Sequence, residues 1–398
     1  MDGDSQSNKL INYKDKSSID IKTNDKFFIN NNKNKYIKIR NPGIDLVRIL
    51  AMIGIIISHL LNHGQAFRKY HMHDKLNLFN FFFFWHINGY CLISGMVGYK
   101  RHKYSNLLYL WINVIFYSVS ITLFYKLKEK NNYELYYEFF PVIFGKYWYF
   151  SIYFGTYLFL PLINKGIEYL TKSELKRLII SIYFIYIIWR DYNVPNTDIF
   201  KTHDGFSVLW FIILYITGAY IGKNKVDNNG IQNIIFCLIC LFFFLSSSLL
   251  YYYLPRYNLS KINIYFIKNI IITTKKFFNF RYDSLPKIIQ AISISLLLIH
   301  IKYNKYLAKV ISFFGSLTFG VYLIHDNYLI RKNIIRYLFI KESNNLTLFL
   351  IIKLIIIKAL KIFIICAFID YIRYLIFELF RIRKLCNFIE KIILKLLI

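Results

Sequence analysis

Two residues of one apolar run could do chemistry together. Between Gly43 and His59, Arg48 and His59 are the basic side chains of a segment that is otherwise mostly Ile, Leu, Val, Met and Gly. They stand eleven residues apart, which on a helix is almost three whole turns. They therefore share a face and are separated by about 16 Å of rise, so they can line one cavity at two depths without touching. Charged or titrating groups within a membrane-length apolar segment are expensive, and as a rule they serve function. A guanidinium can hold an anionic group. An imidazole titrates near neutrality; it can take a proton from a hydroxyl, or accept a transferred group itself as a nucleophile. Asp45, three residues before Arg48, can orient it on the same face or simply cap the segment. The plainer alternatives are an Arg48 that snorkels to lipid head groups and a His59 hydrogen-bonded in a packed core.

The elements that must position these residues follow from composition. Of 398 residues, 56% are apolar and 20% aromatic, with 38 Phe and 35 Tyr but only 6 Pro. That excludes a disordered chain, a disulfide-rich secreted module and an ordinary cytosolic enzyme, and it implies a polytopic membrane protein. A span needs about 20 mostly apolar residues. The fold expected is an all-α transmembrane bundle of about ten spans: 44–61, 78–98, 107–125, 147–163, 177–190, 206–222, 232–254, 285–301, 310–330 and 347–369. Residues 1–40 are polar, rich in Asn and Lys, and read as a disordered cytoplasmic tail. Residues 41–370 form the membrane domain, and 371–398 are read as a basic amphipathic helix on the inner membrane surface or packed on the bundle. An even span number and the basic loops put both termini in the cytoplasm, although the proposed outer loop 255–287 is also basic.

The formal net charge is +29. No basic module of domain size lies outside the apolar segments, so no nucleic-acid partner is expected; a bilayer with anionic head groups can hold the charge. Cys237 and Cys240 form a C-x-x-C within an apolar run and read as small packing residues. No disulfide framework and no metal site are expected.

The run Arg40-Asn-Pro-Gly-Ile-Asp-Leu-Val-Arg-Ile-Leu-Ala51, with Arg48, ten residues and then His59, resembles the signature of the acyltransferase-3 family of integral membrane acyltransferases. Leu92-Ile-Ser-Gly-Met96 resembles that family's second-span F-x-x-S-G-F segment, with Leu and Met where Phe is usual. Trp148-Tyr149-Phe150 and Phe319-Gly-Val-Tyr-Leu-Ile-His325 also look like its landmarks. Where many members carry Arg-x-x-Arg, this chain has Lys100-Arg101-His102-Lys103, and lysine is not a bidentate clamp. The serine-esterase domain appended in some relatives is not seen.

The resemblance implies an acyltransferase that moves an acyl group, commonly acetyl, from cytoplasmic acyl-CoA to a hydroxyl of a glycan or lipid-linked saccharide. No permanently bound cofactor is implied; acyl-CoA is a co-substrate. Arg48 and His59 are then the catalytic candidates, with His59 acting as base or as acyl carrier. Asp45, Lys100, Arg101, Lys103, Trp148, Tyr149 and His325 are candidates for substrate contact. For each a plainer role stands beside the functional one: Trp148 and Tyr149 could belong to an interfacial aromatic belt, and His325 could be a satisfied core histidine. Ser94 and Gly95 suit close helix packing better than chemistry. A transporter or flippase of a lipid-linked saccharide is the alternative function, although the two halves show no inverted symmetry.

Overall fold

The computed structural model describes residues 27–28, 37–38, 41–99, 102–129, 134–193, 197–224, 231–256, 272, 275–276 and 281–396. The chain divides into two compact units, Met1–Arg40 and Asn41–Ile398. In the first, Phe27 and Phe28 pair antiparallel with Lys38 and Ile37. The rest of the expected disordered tail lies outside the described residues.

The second unit is built from helices: α1 Pro42–Asn62, α2 Ala66–Tyr70, α3 His73–Phe81, α4 His86–Gly98, α5 Tyr104–Glu129, α6 Tyr136–Phe139, α7 Trp148–Tyr169, α8 Lys172–Tyr183, α9 Arg190–Asn193, α10 Val208–Lys223, α11 Ile231–Arg256, α12 Leu285–His300, α13 Lys305–His325, α14 Tyr328–Asn333, α15 Leu348–Leu379 and α16 Ile382–Leu396. Among the described residues, five stretches are long and apolar enough to cross a membrane: α1, 74–98, α5, 231–254 and α13; α10 and α12 are shorter and apolar. The protein is thus an all-helical membrane protein.

Each of the ten expected segments falls on helix, but several boundaries move. The segment 78–98 is two helices joined by turns at 82–85. The segment 177–190 passes through a π-helical stretch, Phe184–Trp189. The segment 310–330 breaks at Asp326, and the last one runs on to Leu379. Lys287, expected in an outer loop, sits instead in the first turn of α12, fully buried, with its ammonium 3.8 Å from the centre of the Phe84 ring.

The start of α1 follows local rules. The Asn41 side chain accepts from the Gly43 N–H, and Pro42 occupies the first turn, where its missing N–H is harmless. α1 is central because it serves two apolar cores. Its Met52, Ile56 and Leu60 pack with Val321 of α13 and Ile351 and Ile355 of α15. Its Val47 and Ala51 pack with Leu92 of α4, Trp210 of α10 and Ala291 of α12. Helices α4 and α10 meet backbone to backbone: a Cβ on Gly95 would collide with the Tyr215 carbonyl oxygen, and one on Gly218 with the Leu92 carbonyl oxygen. All five cysteines are free.

Candidate active site

On α1, Asp45, Arg48, Met52, Ile55, His59 and Asn62 follow one another in steps of three and four, so they form a single stripe. The upper half of that stripe lines a cavity of about 230 Å³. Met52, Ile55, Ser58, His59 and Asn62 come from α1, and Tyr90 from α4. Phe84, His86 and Ile87 add to the α4 side, and further aromatic rings come from Trp148 and Tyr149 at the start of α7, Phe206 and Tyr282 in two loops, and Phe319 and Tyr322 of α13. Asp326, at the broken end of α13, completes the lining. The space is therefore apolar, with its polar groups gathered at the His59 end, as small-molecule sites commonly are.

His59 lines the cavity, and its Nδ1 lies 3.5 Å from Asp326 Oδ1, within ion-pair range but not hydrogen-bonded to it. The same carboxylate oxygen lies 3.3 Å from Arg331 Nη1, so Asp326 bridges the imidazole and a guanidinium. The corner that carries Asp326 is tied down: Tyr147 donates its hydroxyl to the Leu323 carbonyl, Asn327 donates to the Tyr147 hydroxyl, and Asn327 Oδ1 accepts from the Leu329 N–H. Beside His59, Ser58 donates to Asn80 Oδ1 at 2.9 Å, so at 3.4 Å it can only accept from His86 Nε2. Ser58 is thus held by partners on two other helices and is poorly placed to act as a nucleophile.

Two further imidazoles flank His59, with ring centres at 5.0 Å (His63) and 5.2 Å (His325). His63 lies just beyond α1 with Nε2 3.3 Å from Arg331 Nη1. Burial first, and that guanidinium second, lower its pKa from the ordinary histidine value. Among the described residues no group of three His, Cys, Asp or Glu is arranged to hold a metal ion.

The sequence-derived candidates divide as follows. Trp148 and Tyr149 line the cavity with His59. His325 is fully buried behind it, its Nδ1 2.7 Å from the Val321 carbonyl, so it touches His59 as a packed, hydrogen-bonded ring. Arg48 lies below the cavity: its guanidinium binds Asp45 Oδ1 at 2.7 Å, and its carbonyl accepts from the hydroxyl of Tyr90, which does line the cavity. Asp45 is buried at that ion pair. Lys103 has an exposed side chain, and its carbonyl accepts from the Tyr157 hydroxyl, away from the cavity. Lys100 and Arg101 lie outside the described residues. Sequence reasoning missed Asp326, Arg331, His86, Tyr282, Phe206 and Tyr322. One signal was present: a carboxylate directly after His325, at the end of an apolar segment.

No curated protein and no solved structure matches the chain. A family of acyltransferase domains matches residues 41–368, a range that holds every cavity-lining residue. Because that domain covers most of the chain and encloses the cavity that holds His59 and Asp326, the chain is an acyltransferase and belongs to the acyltransferase-3 family.

Proposed function

We propose that the protein transfers an acyl group, acetyl in the simplest case, from acyl-CoA to a hydroxyl of a glycan or lipid-linked saccharide, with His59 as the proton acceptor. The observation that carries this reading is the place of His59: on the wall of an aromatic-lined cavity, with Nδ1 3.5 Å from the Asp326 carboxylate. Arg48, aided by Lys100, Arg101 and Lys103 of the loop after α4, holds the phosphates of CoA at the other end of the stripe. The flexible arm of CoA then runs past Met52 and Ile55, and the thioester reaches His59. Trp148 and Tyr149 offer ring faces to the acceptor sugar, while Asp45 orients Arg48 and His325 backs the imidazole.

In the direct route the acceptor oxygen attacks the thioester carbonyl carbon as His59 Nε2 takes its proton. The carbon–sulfur bond breaks, and the departing thiolate receives that proton to leave as free CoA. The Asp326 carboxylate keeps Nδ1 protonated and stabilises the imidazolium between these steps, as in other carboxylate–imidazole pairs. In the relay route Nε2 attacks the thioester carbon and the carbon–sulfur bond breaks, releasing CoA thiolate; the acceptor hydroxyl then attacks the acyl-imidazole, regenerating His59, and its proton ends on the thiolate or in water. Double-reciprocal kinetics separate the two: intersecting lines for direct transfer, parallel lines for a relay.

The test uses full-length protein in proteoliposomes, labelled acetyl-CoA and a mixture of glycans and lipid-linked saccharides, with products read by mass spectrometry. Correctly inserted His59→Ala is expected to make no acylated product. Undiminished transfer in that variant overturns the reading. Movement of saccharide across the bilayer with no added acyl mass would establish a transporter instead.

A further inference from the structure

A second recess opens one turn beyond His59. The Gly64 N–H bonds the His59 carbonyl at 2.9 Å, and Gly64 is the first wall residue of a cleft of about 410 Å³. Its basic walls include Arg68, Lys69 and Arg336, with His71 beside them. The cleft is framed rather than incidental. Helix α2, which carries Arg68 and Lys69, is a single turn bounded on both sides by left-handed residues, Gln65 at φ 61° and His71 at φ 50°. Such backbone costs of order 1 kcal/mol per residue and persists where surrounding structure enforces it.

Here the enforcement is visible. Lys69 Nζ donates to the carbonyls of Phe339, Ile340 and Glu342, which clamps the opposite wall to α2. Lys358 donates to the Leu338 carbonyl and pairs with the Glu342 carboxylate at 2.7 Å, so that carboxylate is already engaged. Arg68 and Arg336, both exposed and both on the cleft, have no carboxylate partner among the described residues. Two exposed arginines on one open cleft, without a carboxylate partner among the described residues, offer forked donors to an anion from solution.

We infer that this cleft binds the phosphate or diphosphate of the acceptor, so that the acceptor is a lipid-linked saccharide whose anionic linkage sits on Arg68 and Arg336 while its sugar enters the His59 cavity. The inference rests on the acyl-transfer reading only for calling the bound molecule the acceptor. The chemistry is that of arginine with phosphate, which pairs bidentately and falls at head-group depth if His59 marks the end of its span. A bulk phospholipid head group has the same chemistry, and the experiment separates the two.

The probe is a radiolabelled polyprenyl diphosphate, its retention measured on full-length protein in phosphatidylcholine nanodiscs without any acyl donor. Binding is therefore read independently of catalysis. The variants are Arg68→Gln/Arg336→Gln, Arg68→Lys/Arg336→Lys, which keeps the charge and loses the fork, and Lys172→Gln/Lys176→Gln as a charge-matched control on α8. Each arginine is expected to contribute about tenfold in affinity, so the glutamine pair should lose about a hundredfold. The lysine pair should lose less, and the control should match wild type. Retention that survives added phosphatidylglycerol assigns the site to the acceptor. Displacement by phosphatidylglycerol assigns it to head groups and overturns the acceptor role. Equal retention in wild type and the glutamine pair, or equal loss in the control, overturns the site itself.

Discussion

If His59 takes the proton as proposed, the group placed to steady its imidazolium is Asp326, whose Oδ1 lies 3.5 Å from Nδ1. Asp326→Asn preserves shape and removes the charge. It is expected to lower kcat by about a hundredfold while KM changes by less than about twofold, because the carboxylate acts on the imidazolium and not on bound substrate. A matching loss in both parameters would show that Asp326 holds the cavity open instead. His63 bears on stability. Its folded pKa lies below the ordinary value of about 6.5, so below that pH the unfolded chain binds a proton that the folded chain refuses. Stability therefore falls as pH drops from about 6.5 toward the folded pKa, and His63→Asn should flatten that part of the curve. Thermal unfolding in detergent, above and below that pH, measures it.

At the scale of elements, packing in the bundle is set by small residues and by buried ion pairs. Gly95 and Gly218 allow α4 and α10 to touch along their backbones. Gly95→Val should push the Tyr215 carbonyl away and cost about 3 kcal/mol, the upper end of ordinary overpacking. On α15, Asp370 binds Arg373 and accepts from the Tyr117 hydroxyl at 2.8 Å, and both charged side chains are buried. The fit extends to α13, where a Cβ on Gly320 would fall on the Asp370 carboxyl group. Asp370→Ala strands a buried guanidinium and is expected to cost about 3–5 kcal/mol, much of it restored in Asp370→Ala/Arg373→Met. A double variant no more stable than the single would mean that the pair does more than neutralise itself.

For the whole molecule, α1 acts as the shared wall of two cores, and the site sits where α13 breaks against its upper end. The terminal helix α16 lies outside the matched acyltransferase domain and packs on α5 through buried Cys386 and the Arg383 contact with Asn106. Leu385, Phe388, Ile392 and Ile393 remain exposed on it. If α16 lies on the membrane surface, a spin label at position 388 should be reached by oxygen and shielded from a water-soluble nickel chelate, with the reverse at position 391. Equal access to the chelate at both positions would place the helix in water.

Much of this was legible without coordinates, and the reason is local geometry. Apolar runs of span length specify helices, and a period of 3.6 residues puts Arg48 and His59 on one face whatever surrounds them. Gly95 reads as a packing residue for the same kind of reason. Other features depend on how distant segments meet. Lys287 counts with the basic loop 255–287 although a span is expected from 285; it lies in the first turn of a helix and is buried against Phe84. Asp326 and His59 are far apart in the chain, and no periodicity relates them. Their pairing depends on α13 ending at His325, short of the expected 330, and on Tyr147 and Asn327 holding the corner there. Sequence by itself determined the membrane-helical class, the family signature and the imidazole. Tertiary structure decided which carboxylate orients that imidazole and which aromatic rings enclose it, because contacts between helices follow from packing register, and register is a property of the assembled bundle.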